Sequence, residues 1–442
     1  MKLLTILANL GLAAAVACPH RKLKEAGLLN EAVLAKYEEL KRDGGHIEQR
    51  SSNGLLSPST LSGLSLPLGG GLVNGVLQPF TGRLSFLVPP TPQSFGLKAI
   101  PGTDINHRYI APGANDRRGV CVALNTLANH GYISRNGITT WAEAANAIQT
   151  VFGFGYDMAA ILSAVGLIAG GDLITGKYSI GGADSRVPDN LGPSLGLDKH
   201  GVCEVDNSIT RVDTYFGNQA NFHLDRWQAL LNDVAAHGNL FSQAAFTVEK
   251  KRSYDDSRAT NPVFDAGPKW FVIAHGERVF IYRTMLNGTS PDTAPDFGNV
   301  GPFFLNETFP HNWFRRPTPF PFADFLVDIT SLYLGSPVEL GVNEGLDNFV
   351  PLGTDPSVMT PSQIACFVLE NILDEAPGSF SRVVVDNYDI VQGFLNGAVA
   401  PFFANYNCDL QNYTVPSASA GEETTGSSSD DGPAIVNGVY QR

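Results

Sequence analysis

The sequence predicts a mainly α-helical protein. Apolar residues recur at helical spacing between Gly and Pro breaks, strict alternation is scarce, and capping residues stand at segment starts. The composition is that of a folded chain, with 442 residues, 43% apolar and 17% charged. Such a length suits one large fold with tails, or about two or three domains. The net charge of −13 excludes sequence-independent nucleic-acid binding, which needs a basic footprint. Five Cys are too few for a disulfide-dense scaffold, and an odd number leaves at least one unpaired within the chain.

The elements follow in chain order. Residues 1–17 read as a secretory signal peptide: Lys2, an apolar run from Leu3 to Val16, then the small residues Ala15 and Ala17. The run is too short to span a bilayer, which takes about 20 residues. The mature protein is therefore expected to be secreted, with no membrane partner. Cleavage would leave Cys18 near its N-terminus. Residues 18–103 are expected to form a helix and an irregular wrap. Leu28, Leu29, Val33, Leu34, Tyr37 and Leu40 mark the helix, Gly44-Gly45 stops it, and Gly45 to Pro101 is rich in Ser, Gly, Pro and Leu.

From Asn106 helices dominate. One starts near Cys121 and stops at His130-Gly131. Thr140-Trp-Ala-Glu143 is a capping box opening a helix to about Val151. Tyr156 to Ala169 reads as a buried helix. Asn221 is expected to cap Phe222 to His237, and Ser242 to Arg258 forms a charged helix ended by Asn261-Pro262. Phe271 to Tyr282 fits either a strand or a buried helix. Thr360-Pro361-Ser362 opens a helix to about Asp374, and Tyr388 to Phe403 is the last. The tail, residues 415–442, is expected to be disordered; Ser417 to Pro433 holds no large apolar residue. Sequons at Asn287, Asn306 and Asn412 permit glycosylation.

Cys121 sits where a Gly-containing loop turns into a helix. Free N–H groups and the positive dipole end at a helix start favour a thiolate. A thiolate there serves as nucleophile, metal ligand or axial haem ligand; an isolated Cys is otherwise a small core residue.

The stretch around it resembles the fungal haem-thiolate peroxidase family, the chloroperoxidases and unspecific peroxygenases. Those proteins carry Pro-Cys-Pro, then Leu-Asn-Thr-Leu-Ala-Asn-His-Gly and an Arg-Asn-Gly turn. Here Leu124 to Gly131 and Arg135-Asn136-Gly137 are intact, while Val120 and Val122 replace the two prolines. The resemblance implies a single chloroperoxidase-like helical domain over 104–414 enclosing haem b, with Cys121 as axial thiolate. Each valine brings an N–H that proline lacks. Near sulfur, such a donor is expected to withdraw charge and weaken its electron push.

Two further motifs carry the resemblance. The first is Glu204-Val-Asp-Asn-Ser-Ile-Thr-Arg-Val-Asp213, followed by Phe216-Gly217. In the family this segment holds magnesium or manganese against a haem propionate. Carried over, the ligands are Glu204, the Val205 carbonyl and Ser208, all oxygen as a hard cation requires. Val205 stands where the family has Gly or a distal His, so Asp206 lacks that partner.

The second is Trp270-Phe-Val-Ile-Ala-His-Gly-Glu277, after Asp256-Ser-Arg-Ala-Thr-Asn-Pro-Val-Phe264. The family's Glu takes a proton from hydrogen peroxide and returns it to the outer oxygen. Glu277 inherits that role as a buried carboxyl with a raised pKa. The family's Arg falls on Trp270; Lys269 is adjacent but points differently, and His275 lies on another face. The resemblance also implies a Cys366–Cys408 disulfide, leaving Cys18 and Cys203 unassigned.

The implied function is a secreted peroxidase or peroxygenase that uses hydrogen peroxide on small apolar or aromatic molecules. Phe216, Phe271 and the aromatics near Tyr282 are candidate pocket residues. The alternative is a catalytically impaired haem-binding or secondary-metabolism homologue of the same fold, an isomerase or dehydratase among them.

Overall fold

A computed structural model describes residues 72–201, 203–369 and 388–408, with the short strands Ile435–Val436 and Val439–Tyr440. The expected signal peptide, Cys18, the helix over His20–Asp43, Asn412 and the remainder of the tail lie outside the described residues. Helices dominate and the strands are two or three residues long.

The first helix, α1 (Val122–Asn129), begins directly after Cys121 and ends at His130, where Gly131 turns the chain at φ +68°. Helix α2 (Trp141–Phe152) is capped by Thr140, whose hydroxyl accepts from the Glu143 N–H at 3.2 Å. The expected capping box is only half made. The Glu143 carboxylate accepts from Thr139 (2.7 Å) and Ser134 (3.0 Å) instead, tying the preceding turn to the helix. Gly153 ends α2 in the left-handed region, and α3 (Tyr156–Gly170) packs back against it. Helix α3 is apolar on nearly every face, which fits its interior place.

Helix α4 (Leu224–Ala236) starts later than Asn221 predicts. Its start is set by packing: Phe222, just before the His223 cap, lies 6.1 Å from Trp227 in the first turn, a hydrophobic staple. Helix α5 (Gln243–Thr260) is capped by the Ser242 hydroxyl on Ala245 N–H. Its inward face is polar and carries the buried Glu249, Lys250, Ser253 and Ser257. Helix α6 (Pro268–Thr284) settles the ambiguous apolar run as a helix, opened by Pro268 in its first turn.

Two further helices carry little signal in the sequence. Helix α7 (Phe297–Asn306) has a full capping box from Asp296 and Asn299, but Gly298, Gly301 and Pro302 disguise it. Helix α8 (Phe322–Gly335) buries Phe322, Phe325, Leu326, Ile329, Leu332 and Tyr333, a helical spacing. Residues 361–369 form α9 and Tyr388–Ala398 form α10, which gives way to a 3-10 turn over Ala400–Tyr406.

One apolar core joins these helices, and residues 72–101 drape over it with Leu77, Phe80, Leu84, Leu87 and Ile100 buried. Ile138–Thr140 pairs antiparallel with Lys177–Ser179, which also pairs with Gly171–Asp172. Beyond this small sheet the chain returns along it: Leu197 N–H donates to Ser179 and Asp198 N–H to Gly181. Gly196 makes the return possible. Its φ is +72°, and an added Cβ would sit 2.1 Å from the Gly181 carbonyl oxygen. This return carries Asp198 to the loop before α1. Among the described residues no helix is long and apolar enough to cross a membrane.

Candidate active site

The helices enclose a cavity of about 330 Å³. Its wall is apolar, with Ile148, Phe152, Met158, Ile161, Val272, Phe280 and Phe325 among the lining residues. Cys121, Glu204, Ser208, Arg211, Lys269 and Glu277 also line it. Residues more than 150 positions apart in the chain thus line one cavity.

Cys121 is the N-cap of α1, a free thiol that lines the cavity. Burial pushes its thiol pKa up; the N–H groups of Leu124 and Ala123 oppose this by favouring the thiolate. Helix-start chemistry alone predicts lowering. At this buried position desolvation outweighs it.

The loop carrying Cys121 is held by side chains. Val120 N–H donates to Asp198 Oδ1 at 2.9 Å, and its carbonyl accepts from Arg211 Nη2 at 2.8 Å. The Asn125 side chain accepts from Gly119 N–H (2.9 Å) and donates to Gly119 O (2.8 Å) and Glu307 Oε1 (2.7 Å). The expected withdrawal of charge from sulfur by the Val120 N–H is therefore corrected: that N–H is committed to Asp198. Burial raises the Asp198 carboxyl to about 6, against the Val120 N–H and Arg211.

Glu277 is on α6. Its Oε1 accepts from Arg278 Nη1 at 2.7 Å and its Oε2 from the Ser208 hydroxyl at 3.2 Å. Arg278 is fully buried and also donates to both Glu249 oxygens (2.6 and 3.0 Å) and to the Asn207 carbonyl. Burial raises the Glu277 pKa well above the carboxyl range. Arg278 opposes the shift, while Glu204 and Glu249 add to it.

Glu204 is buried, and burial raises it to about 7 against the Ser208 hydroxyl and Arg211. Its Oε1 has no hydrogen-bond partner. An orphaned buried carboxylate oxygen fits a missing cation or donor. Ser208 stands beside it, and the Val205 carbonyl accepts from Gln219 Nε2 at 3.0 Å, which leaves one lone pair.

The unpaired thiol facing an apolar cavity likewise fits a flat apolar group bound through iron. Cys121, Glu204, Ser208 and Glu277 therefore come together. Asp206 does not join them; with Asp213 it holds Asn261 Nδ2 (3.0 Å each) outside the cavity wall.

Trp270 points away from the cavity into the core, against Tyr254 and Phe264, whereas Lys269 lines the wall and donates to the Gly201 carbonyl. His275 is fully buried off the wall, donating through Nδ1 to Phe271 O at 2.7 Å. Of the expected pocket aromatics, Phe216 is exposed, and Phe271 and Tyr282 are core residues. Phe280, the aromatic two residues before Tyr282, does line the wall as expected.

Asn306 is exposed; Asn287 is half-buried and donates to Asn312 O at 3.1 Å. Cys366 and Cys408 form a disulfide with Cα atoms 5.1 Å apart, and Cys203 lines the cavity. Arg278, Glu249 and Asp198 carry no motif signal; only the fold shows them.

A helical shell around an apolar cavity, with a thiol and a carboxyl among its lining, is a pocket suited to a bound prosthetic group and acid–base chemistry. Residues 107–318 match the family described as Peroxidase, family 2. The chain is 33% identical over 237 residues to the aromatic peroxygenase of Coprinellus radians, covering 51% of this chain and 88% of that protein. It is 28% identical over 353 residues to a dothistromin biosynthesis peroxidase of Dothistroma septosporum, covering 72% and 84%. To the chloroperoxidase of Leptoxyphium fumago it is 28% identical over 287 residues, covering 59% and 71%. The chain belongs to the fungal haem-thiolate peroxidase family. It is a peroxide-dependent oxidoreductase with a haem-type cofactor.

Proposed function

We propose that the protein is a secreted enzyme that uses hydrogen peroxide to oxidise or oxygenate small apolar or aromatic molecules. The observation that carries this reading is the convergence of Cys121 and Glu277 on one apolar cavity. Haem b is the cofactor, held by the Cys121 sulfur, and when bound it supplies the iron at which peroxide is reduced.

The chain's own residues divide the remaining work. Ala123 and Leu124 N–H groups stabilise charge on the Cys121 sulfur. Desolvation raises the Glu277 pKa, which makes its carboxylate a better base, and Arg278 opposes the shift and so keeps the ionised form within reach. It takes the peroxide proton at its carboxyl and returns it to the departing oxygen, which is general acid–base work. The apolar wall excludes water and favours apolar substrates.

Glu204, the Val205 carbonyl and Ser208 would hold a hard divalent cation, magnesium or manganese, as an all-oxygen ligand set. The unpartnered Glu204 oxygen supports this. The apolar run at residues 1–17 supports export, and the exposed Asn306 is the better placed glycosylation site of the two described.

A second reading is a role in making one specialised metabolite. It is favoured by Trp270, which withdraws from the cavity the position where relatives place a distal Arg. Purified protein assayed with peroxide and a small aromatic substrate tests the first reading. A haem spectrum without turnover across such substrates favours the second.

A further inference from the structure

We propose that Asp198 and Arg211 are positioning residues for Cys121, forming a clamp on the backbone of Val120, the residue before it. The proposal rests on the reading of Cys121 as the sulfur ligand. Val120 is buried, and neither of its backbone polar groups has a backbone partner in the described structure. Asp198 Oδ1 accepts its N–H at 2.9 Å and Arg211 Nη2 donates to its carbonyl at 2.8 Å. Both side chains carry charge-bearing groups, so these are the stronger kind of hydrogen bond. Gly119 is gripped in the same way by Asn125. The loop that delivers the sulfur therefore belongs to no sheet or helix. Side chains from two distant segments give it its shape.

The packing is close enough to be specific. A Cβ on Gly119 would lie 2.2 Å from Asp198 Oδ1 and 2.3 Å from the Ile180 carbonyl oxygen. Arg211 is itself anchored, with Nη1 donating to Ala220 O at 2.8 Å. Because Arg211 belongs to the segment that contains Glu204 and Ser208, the clamp ties that segment to the Cys121 loop. It also has a chemical consequence. The Val120 N–H is drawn onto a carboxyl, so the donors left for sulfur are those of Ala123 and Leu124. A ring at position 120 would have no N–H to direct. Here Asp198 performs that exclusion with a side chain.

The test uses full-length haem-loaded protein and two readouts, haem retention on gel filtration and the ferrous–CO spectrum. Asp198→Ala leaves the buried N–H of Val120, the residue before Cys121, without its acceptor. The expected result is about a tenfold rise in the fraction of haem that is lost or not thiolate-ligated. Asp198→Asn keeps an acceptor oxygen and is expected to stay near wild type.

The deciding variant is Val120→Pro in the Asp198→Ala background. It removes the donor, and its ring occupies the space the carboxyl vacates. It is expected to restore the wild-type spectrum and haem retention. The clamp is overturned if Asp198→Ala matches wild type in both readouts. It is equally overturned if the double variant is as defective as Asp198→Ala, since Asp198 would then act on folding alone. Cys121→Ala separates the two readings: a thiolate spectrum surviving in that variant refutes the ligand assignment, whatever Asp198→Ala does.

Discussion

Arg278 Nη1 donates to Glu277 Oε1 at 2.7 Å, and the same guanidinium holds both oxygens of Glu249. Two carboxyls thus share one buried cation, and the carboxyl on the cavity wall is the more weakly held. Proton affinity at Glu277 is set by this sharing as well as by burial.

Arg278 lowers the Glu277 pKa, so weakening it raises that pKa further. In Arg278→Lys, the acidic limb of the kcat/KM profile for peroxide is expected to move to higher pH. Arg278→Met leaves the buried Glu249 and the half-buried Glu277 without their shared cation. It is expected to destabilise the fold by about 3–5 kcal/mol in urea unfolding.

Glu277→Gln keeps the shape and removes the titrating oxygen. Turnover with peroxide should fall by about 10²–10⁴-fold, the usual share of a general acid–base group. The haem spectrum should be unchanged, since Glu277 does not touch Cys121's loop. Unchanged turnover removes Glu277 from the mechanism.

Glu204 gives a pH-dependent stability. Its folded pKa, about 7, lies above that of an unfolded carboxyl, so the folded state binds the extra proton. Its contribution is fully present at acid pH and is lost as pH rises through about 7. In protein stripped of divalent cations, Glu204→Gln is therefore expected to melt higher than wild type at pH 8 (about one unit above that pKa). The difference should close toward pH 4 (about the unfolded carboxyl pKa). Magnesium should raise the wild-type melting temperature at the higher pH, by about 2.7 kcal/mol of stability at a hundred times Kd. Glu204→Gln should not respond. An equal response in both proteins would place the cation elsewhere.

The Cys366–Cys408 bond closes a loop with a sequence separation of 42. Replacing both with Ser is expected to cost about 4 kcal/mol through unfolded-chain entropy. Denaturant unfolding of the double variant measures this, and equal midpoints would show that the loop is already constrained.

Much of this was legible in the sequence because it was local. Thr140 and Ser242 cap helices as their residue types predict, and Cys121 stands at a loop-to-helix transition that spacing alone reveals. Apolar runs were harder. Helix α6 is buried on most sides, so its periodicity is weak, and α7 hides behind Gly298, Gly301 and Pro302. The start of α4 was misread because Asn221 is a good cap, while the Phe222–Trp227 contact set the boundary.

At the site, the motif residues Cys121, Glu204, Ser208 and Glu277 were visible as separate words, but their meeting was not. Arg278, Glu249 and Asp198 were invisible, since each works through a long-range side-chain contact. Trp270 was read as a missing helper; the structure adds that its ring turns into the core.

The central claim is that the Cys121 sulfur holds the cofactor. The ferrous–CO spectrum of purified protein, beside that of Cys121→Ala, tests it most directly. The account predicts a Soret band at the position of thiolate-ligated haem in the wild type and its loss in the variant. A wild-type protein that binds haem without that band, or a variant that keeps it, would contradict the claim.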